Sequence, residues 1–202
     1  MTSRRYEAPS RQQAAALTRR RLLTSAQELL ADPNDPRFTA DTIAQRAGTS
    51  RQTLYNAFGS LGGLLEALCD ELASAADLDL QAAFSQPDPA AALERFVDSF
   101  CRLWQTDRLV LRRLRGLAVH DPDLNRVLQA RDNRRLSALQ MLLLRYRVSL
   151  PADLVEVLWV LTGFQTFDVL AGADRDRASV AATITSAIRL LLPDAQPPAT
   201  GH

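Results

Sequence analysis

From Arg11 the apolar positions Leu17, Leu22, Leu23, Ala26, Leu29 and Leu30 recur at three, four and seven residues, which predicts an amphipathic helix. Pro33 and Pro36 end it. Thr39 reads as an N-cap for a helix over Ala40–Ala47, with Asp41 suited to the positive end of its dipole. Gly48 breaks that helix, Ser50 caps the next over Arg51–Phe58, and Gly59 interrupts again. Leu61, Leu64, Leu65, Leu68 and Leu72 open a longer helix predicted to reach Phe84. Pro89 starts one ending near Thr106, Asp107–Val119 forms another, and the break at His120-Asp-Pro-Asp precedes a long helix to about Arg147. Ala152 to about Leu170 and Arg175–Leu192 are the last two. No strand alternation is found, so the expected fold is all-α with about nine helices.

The predicted divisions are a flexible basic arm over 1–10, a helix-turn-helix head over 11–60, a helical body over 61–193, and a disordered tail over 194–202 that holds Pro197 and Pro198. Composition excludes several alternatives. With 47% hydrophobic residues in 202, the chain is neither disordered nor short of core. No apolar run reaches the roughly 18–20 residues of a membrane span, so no membrane partner is expected. Two cysteines, Cys69 and Cys101, point to a reducing cytoplasm and inert buried thiols rather than a disulfide framework.

Charge changes the picture once it is located. The formal net charge is only +1, and every one of the 24 basic residues is Arg. Residues 1–60 nevertheless hold nine Arg against five acids, a surplus of four, while the remainder carries a deficit of three. A basic head on a mildly acidic body is the asymmetry expected when one end meets a polyanion.

The head also carries the one motif that speaks of function. Two short helices joined by a Gly-containing turn form a helix-turn-helix. Ile43, Ala47, Leu54 and Ala57 fall at inward spacings, Ala44 permits close approach, and Gly48 accepts a positive φ. The outer positions Arg51, Gln52, Thr53, Tyr55 and Asn56 can all hydrogen-bond. In a major groove Arg and Gln address G and A edges, and hydroxyls suit phosphate oxygens. A merely structural αα-hairpin has the same bare geometry; the polar outer face and the basic arm favour DNA.

The stretch Thr-Ile-Ala-Gln-Arg-Ala-Gly-Thr-Ser-Arg-Gln-Thr-Leu-Tyr-Asn-Ala-Phe-Gly-Ser (42–60) resembles the DNA-binding signature of the tetracycline-repressor (TetR) family of bacterial regulators. Ala26-x-x-Leu29-Leu30, Phe38-Thr39 and Leu64-Leu65 extend the likeness over roughly residues 19–68. The resemblance implies that Thr39, Thr53 and Tyr55 touch backbone phosphate and that Arg51, Gln52 and Asn56 face base edges. Ser50 and Ser60 complete the candidate DNA-contacting set. Two departures stand out: Thr49 replaces the usual Val, and Gly59-Ser60-Leu61-Gly62 replaces Pro-Ser-Lys-Glu, removing a Lys that binds phosphate in relatives. Gly62-Gly63 further lowers helix propensity by about 1 kcal/mol each, which is expected to loosen the junction after the head.

In the body, Phe100, Trp104, Trp159, Phe164 and Phe167 lie on apolar helix faces and, with Arg112, are candidates for a small-molecule pocket; each also suits plain core. Leu158, Leu161, Val180, Ile184, Ile188 and Leu191 are candidates for a dimer interface, on the implied two-fold bundle of the last two helices. No Gly-rich phosphate loop, Cys/His metal spacing or His-Glu-x-x-His occurs, so no enzyme, metal or cofactor is expected. The expectation is a cytoplasmic homodimeric repressor of a palindromic double-stranded DNA operator, released by an unidentified small-molecule effector. A DNA-binding regulator without ligand sensing, and a helical interaction or carrier protein, stay open as alternatives.

Overall fold

The structure is a computed structural model that describes residues 7–32 and 37–192. The expected tail, Pro33, Pro36 and the first six residues of the expected arm lie outside the described residues. Eleven helices and no strand occur among the described residues. In chain order they are α1 (Glu7–Ala31), α2 (Ala40–Arg46), α3 (Arg51–Phe58), α4 (Leu61–Ala75), α5 (Gln81–Phe84), α6 (Pro89–Thr106), α7 (Arg108–Ala118), α8 (Pro122–Arg145), α9 (Ala152–Leu161), α10 (Phe164–Ala171) and α11 (Arg177–Leu191).

Most boundaries are set by local chemistry visible in the sequence. The Asp88 carboxylate accepts from Ala91 N at 2.9 Å ahead of Pro89, and Asp121 accepts from Asp123 N and Leu124 N to start α8. Asp176 caps α11, and its carboxyl is held below the ordinary range, chiefly by the Ser179 hydroxyl.

Four boundaries differ from expectation. α1 begins at Glu7, so residues 7–10 are helical; Pro9 sits in the first turn, where no intrahelical N–H is lost. The helix expected to reach Phe84 stops at Ala75, because Asp77 turns to φ 50° before α5 begins. The helix expected from Ala152 to about Leu170 is two helices, broken at Thr162-Gly163. The last helix starts two residues late, at its Asp176 cap.

The chain forms two compact units. One joins the described residues up to Leu72 with 109–129. Its core holds Leu22, Ala26, Leu30, Ile43, Leu54, Leu64 and Leu68, with Val110, Leu114 and Leu124 from the later segment. Leu17, expected inward, is exposed. The other joins residues 73–108 with the described residues from 130 to 192, and α6 packs most extensively against α11. Phe96, Phe100, Leu139, Leu142, Leu158, Phe167, Val180, Ile184 and Ile188 fill it.

Candidate DNA-binding head

The helix-turn-helix is fixed by caps at both of its N-termini. Thr39 Oγ1 accepts from Thr42 N at 3.2 Å while Thr39 N donates to Thr42 Oγ1 at 3.0 Å, a reciprocal capping box. Ser50 Oγ accepts from Thr53 N at 3.1 Å and starts α3. Between them Gly48 adopts φ 63°, and Thr49 N returns to Ala44 O at 2.9 Å to close the turn. Ile43 and Leu54 are fully buried, Ala44 and Ala47 nearly so, and Ala57 half-buried, which holds α2 and α3 on α1.

Two arginines of α1 fasten this pair from behind. Arg19 Nη1 donates to Ala57 O at 2.8 Å, near the end of α3, with its guanidinium 4.1 Å from the centre of the Phe58 ring. Arg21 donates to Ala47 O at the end of α2. Cations at helix C-termini meet unsatisfied carbonyls and the negative end of the dipole, so both contacts stabilise the orientation of the motif. Sequence patterns give no sign of them, since their acceptors are main-chain atoms 38 and 26 residues away.

The outer face of α3 is polar and arranged in pairs. Arg51, Gln52 and Asn56 are exposed, while Thr53 and Tyr55 are half-buried. Gln52 Nε2 donates to Asn56 Oδ1 at 2.9 Å. Arg51 Nε donates to the Tyr55 hydroxyl at 3.1 Å, and its Nη1 lies 3.2 Å from Asp41 Oδ2 on α2. These partners, Tyr55 first, hold the guanidinium more firmly protonated than usual. In the sequence Asp41 reads only as a dipole partner; nothing local signals a contact ten residues away. Ser60 Oγ accepts from Gly63 N at 3.0 Å and caps α4.

The glycine pair plays a different part from the one expected. A Cβ at Gly63 would lie 2.1 Å from Phe58 O, so the absent side chain lets α4 start directly against the end of α3.

The candidate pocket residues are distributed differently. In the second unit, rings pack in a chain: Phe96–Phe100 at 4.8 Å, Phe100–Trp104 at 5.8 Å, and Trp104–Phe164 edge-on at 5.8 Å. Trp104 Nε1 donates to Thr162 O at 3.0 Å, and Trp159 Nε1 to Asp132 O at 3.1 Å. Phe167 is buried beside Arg108, which pairs with Asp168 at 2.9 Å. Arg112 is an exposed residue of α7 in the first unit.

Arg135, absent from the sequence-derived candidates, is 5% exposed. Its Nη1 donates to Trp159 O and, at 2.7 Å, to Thr162 Oγ1. The guanidinium lies 5.2 Å from the Trp159 ring centre and 5.9 Å from that of Phe100. It thereby satisfies the carbonyl end of α9 at the break that separates it from α10.

Four candidate interface residues turn inward. Leu158, Val180, Ile184 and Ile188 are at most 1% exposed within the single chain, while Leu161 and Leu191 are half-buried. Their helical stripes pack against neighbours in their own unit. The apolar residues left outside on α9, α10 and α11 are Val157, Val160, Val169 and Leu190.

Among the described residues no group of acids, His and Cys is placed to hold a metal. No single helix there is long and apolar enough to cross a membrane; α9 with α10 passes that test only as a bent pair.

Comparisons with known proteins agree with this geometry. Residues 22–68 match the family model of bacterial regulatory proteins, tetR family. No curated protein sequence matches the chain. Among solved structures, a protein from Rhodococcus sp. described as a TetR-family transcriptional regulator aligns with TM-score 0.63 at 17% identity, over 88% of this chain and all of that one. The TetR-like regulator LfrR from Mycobacterium smegmatis, in complex with proflavine, aligns with TM-score 0.54 at 22% identity, over 89% and 98%. RolR in complex with resorcinol aligns with TM-score 0.50 at 22% identity, over 92% and 97%. At these identities the solved structures establish the fold, and the family model matches the head alone. Residues 22–68 are thus similar to the bacterial regulatory proteins of the tetR family, and the chain as a whole shares the fold of TetR-family transcriptional regulators.

Proposed function

We propose that the protein is a homodimeric repressor that reads a palindromic operator through α3 and leaves it when a small molecule binds the second unit. The observation that carries the DNA reading is the exposed row Arg51, Gln52 and Asn56 on a helix capped at its entry and fastened from behind. Arg51 and Gln52 suit bidentate contacts to purine edges, with Asn56 beside them. Thr39, Ser50, Thr53, Tyr55 and Ser60 offer hydroxyls for phosphate, which position the head without reading sequence. Dimerisation adds a second head and matches a two-fold operator. Val157, Val160, Val169 and Leu190 supply the exposed apolar surface for it. Site of action is the cytoplasm, with the DNA.

The aromatic chain of α6 and α10 suits a planar aromatic effector, similar in shape to the proflavine and resorcinol bound in the LfrR and RolR complexes. Effector binding would act by population shift, favouring a head spacing that no longer matches successive major grooves roughly 34–36 Å apart. The close packing of those rings, with Arg135 set against Phe100 and Trp159, favours a second reading, DNA binding without ligand sensing. Selection of genomic fragments by the purified protein tests the central claim: a recovered palindrome supports it, and no enrichment over random fragments refutes it. Tryptophan quenching by planar aromatics separates the two readings.

A further inference from the structure

The run Arg19-Arg20-Arg21 is the densest charge in the head, and the fold does not spend all of it on fastening helices. Arg19 goes to the end of α3 and Arg21 to the end of α2. Arg20 lines a cleft of about 320 Å³ together with Arg21, Thr24, Ser25, Glu28 and Arg46. Positions 20, 21, 24, 25 and 28 recur at one-turn spacing, so one side of α1 presents both cations and hydroxyls to the cleft. Arg46 adds a third cation from α2. Three guanidiniums against one carboxylate leave a surplus of two positive charges.

The internal neutralisation is weak. Glu28 and Arg46 approach only to 4.0 Å, with side chains 57% and 36% exposed. An ion pair so long and so hydrated holds its partners loosely and yields to a stronger anion. Guanidinium groups present planar forks of N–H donors that match phosphate oxygens, and hydroxyls supply further donors. Ala47 also borders the cleft, three residues before the Ser50 cap of α3. The cleft therefore flanks the turn from which α3 would enter a groove.

We propose that this cleft is a phosphate-binding site separate from the polar face of α3. The phosphate belongs either to the DNA backbone beside the half-site, which rests on the DNA reading above, or to a free phosphorylated small molecule. Two arms distinguish the sources, using the full chain and the variants Arg20→Ala, Arg46→Ala and their double. Arg126→Ala, a 75% exposed arginine paired with Asp123, is the control.

The first arm measures binding to a 30-base-pair duplex of arbitrary sequence across salt concentrations. A backbone phosphate predicts that the slope of log K against log salt falls by about 0.9 for each contact removed, with the control unchanged. The second arm titrates inorganic phosphate without DNA and follows backbone amide resonances. A free ligand predicts saturable shifts at residues 20–28 and 46–48 that the double variant abolishes. An unchanged slope together with no saturable shift overturns the proposal, as does an equal slope change in the control. If the wild-type chain binds no duplex, it is the DNA reading that fails, and the phosphate titration alone decides this site.

Discussion

Replacing Arg135 tests the energetics of the second unit most directly. Arg135→Ala removes two hydrogen bonds from a charged donor, to Trp159 O and Thr162 Oγ1, and an ion pair with Asp132 at 3.6 Å. Bonds of this kind contribute about 1.5–3 kcal/mol each. Stacking beside Trp159 and Phe100 adds about 1 kcal/mol. Against these stands the cost of keeping a 5% exposed guanidinium from water, several kcal/mol, which the substitution relieves. The alanine also leaves a void between two rings and takes from the Trp159 carbonyl its charged donor, leaving the Thr162 hydroxyl at 3.0 Å. A net loss of about 3 kcal/mol results. Arg135→Met relieves the same desolvation but refills the space, so its loss should stay near about 1 kcal/mol. Trp104 and Trp159 are the only tryptophans and both lie in this unit, so urea unfolding followed by fluorescence reads it specifically. With a slope of about 2 kcal/mol per molar urea, the alanine midpoint should fall by about 1.5 M and the methionine midpoint by about 0.5 M. An alanine shift below about 0.3 M would refute the network's contribution. Equal shifts for the two variants would refute the division between charge and packing.

In the head, Arg51→Ala or Gln52→Ala should relax base preference at one operator position by about tenfold or more; an unchanged binding-site logo for both removes the base-reading assignment. Tyr55→Phe should weaken all sequences alike, and selective loss at one site would contradict a phosphate role. Gly63→Ala should destabilise the head by about 1–3 kcal/mol, since its Cβ would meet Phe58 O at 2.1 Å; a neutral melting temperature by circular dichroism would contradict that close approach. Burial pushes the Cys101 thiol from 9.0 up to about 12, with Asp98 raising it further and Arg177 opposing. The folded chain thus keeps a proton that the unfolded chain releases, so stability is undiminished below pH 9.0 and is lost as pH climbs toward 12. Native Cys101 should resist thiol reagents at about pH 8 and react once urea unfolds it; rapid native labelling contradicts the burial. Val160→Glu should turn a sedimenting dimer into a monomer, and an unchanged dimer would move the interface elsewhere.

What the sequence reveals follows from how local its physics is. Thr39, Ser50 and Gly48 act on close chain neighbours, so the caps and turn of the head are legible in the order of residues alone. Breaks at Asp77 and Thr162-Gly163 are hidden because Leu78, Leu80, Phe164 and Phe167 continue the apolar pattern across them. Arg135 carries a usable signal: it occupies an apolar register with Ala138, Leu139 and Leu142, where a charge is out of place. Ile184 and Ile188 lie on a clear stripe, yet a stripe does not tell which neighbour covers it, and α6 of the same chain does. The outward residues of α3 are legible by elimination, whereas the Arg51–Asp41 pair depends on the tertiary meeting of two helices.

The contacts from Arg19 and Arg21 end on main-chain oxygens, Ala57 O and Ala47 O. Every amino acid at those positions would offer the same acceptor. The mounting is therefore indifferent to the text written on the other side of α3, where Arg51, Gln52 and Asn56 stand free of it. New addresses can be drafted on that surface, by gene duplication or by an engineer, without refitting the hinge pins that hold it.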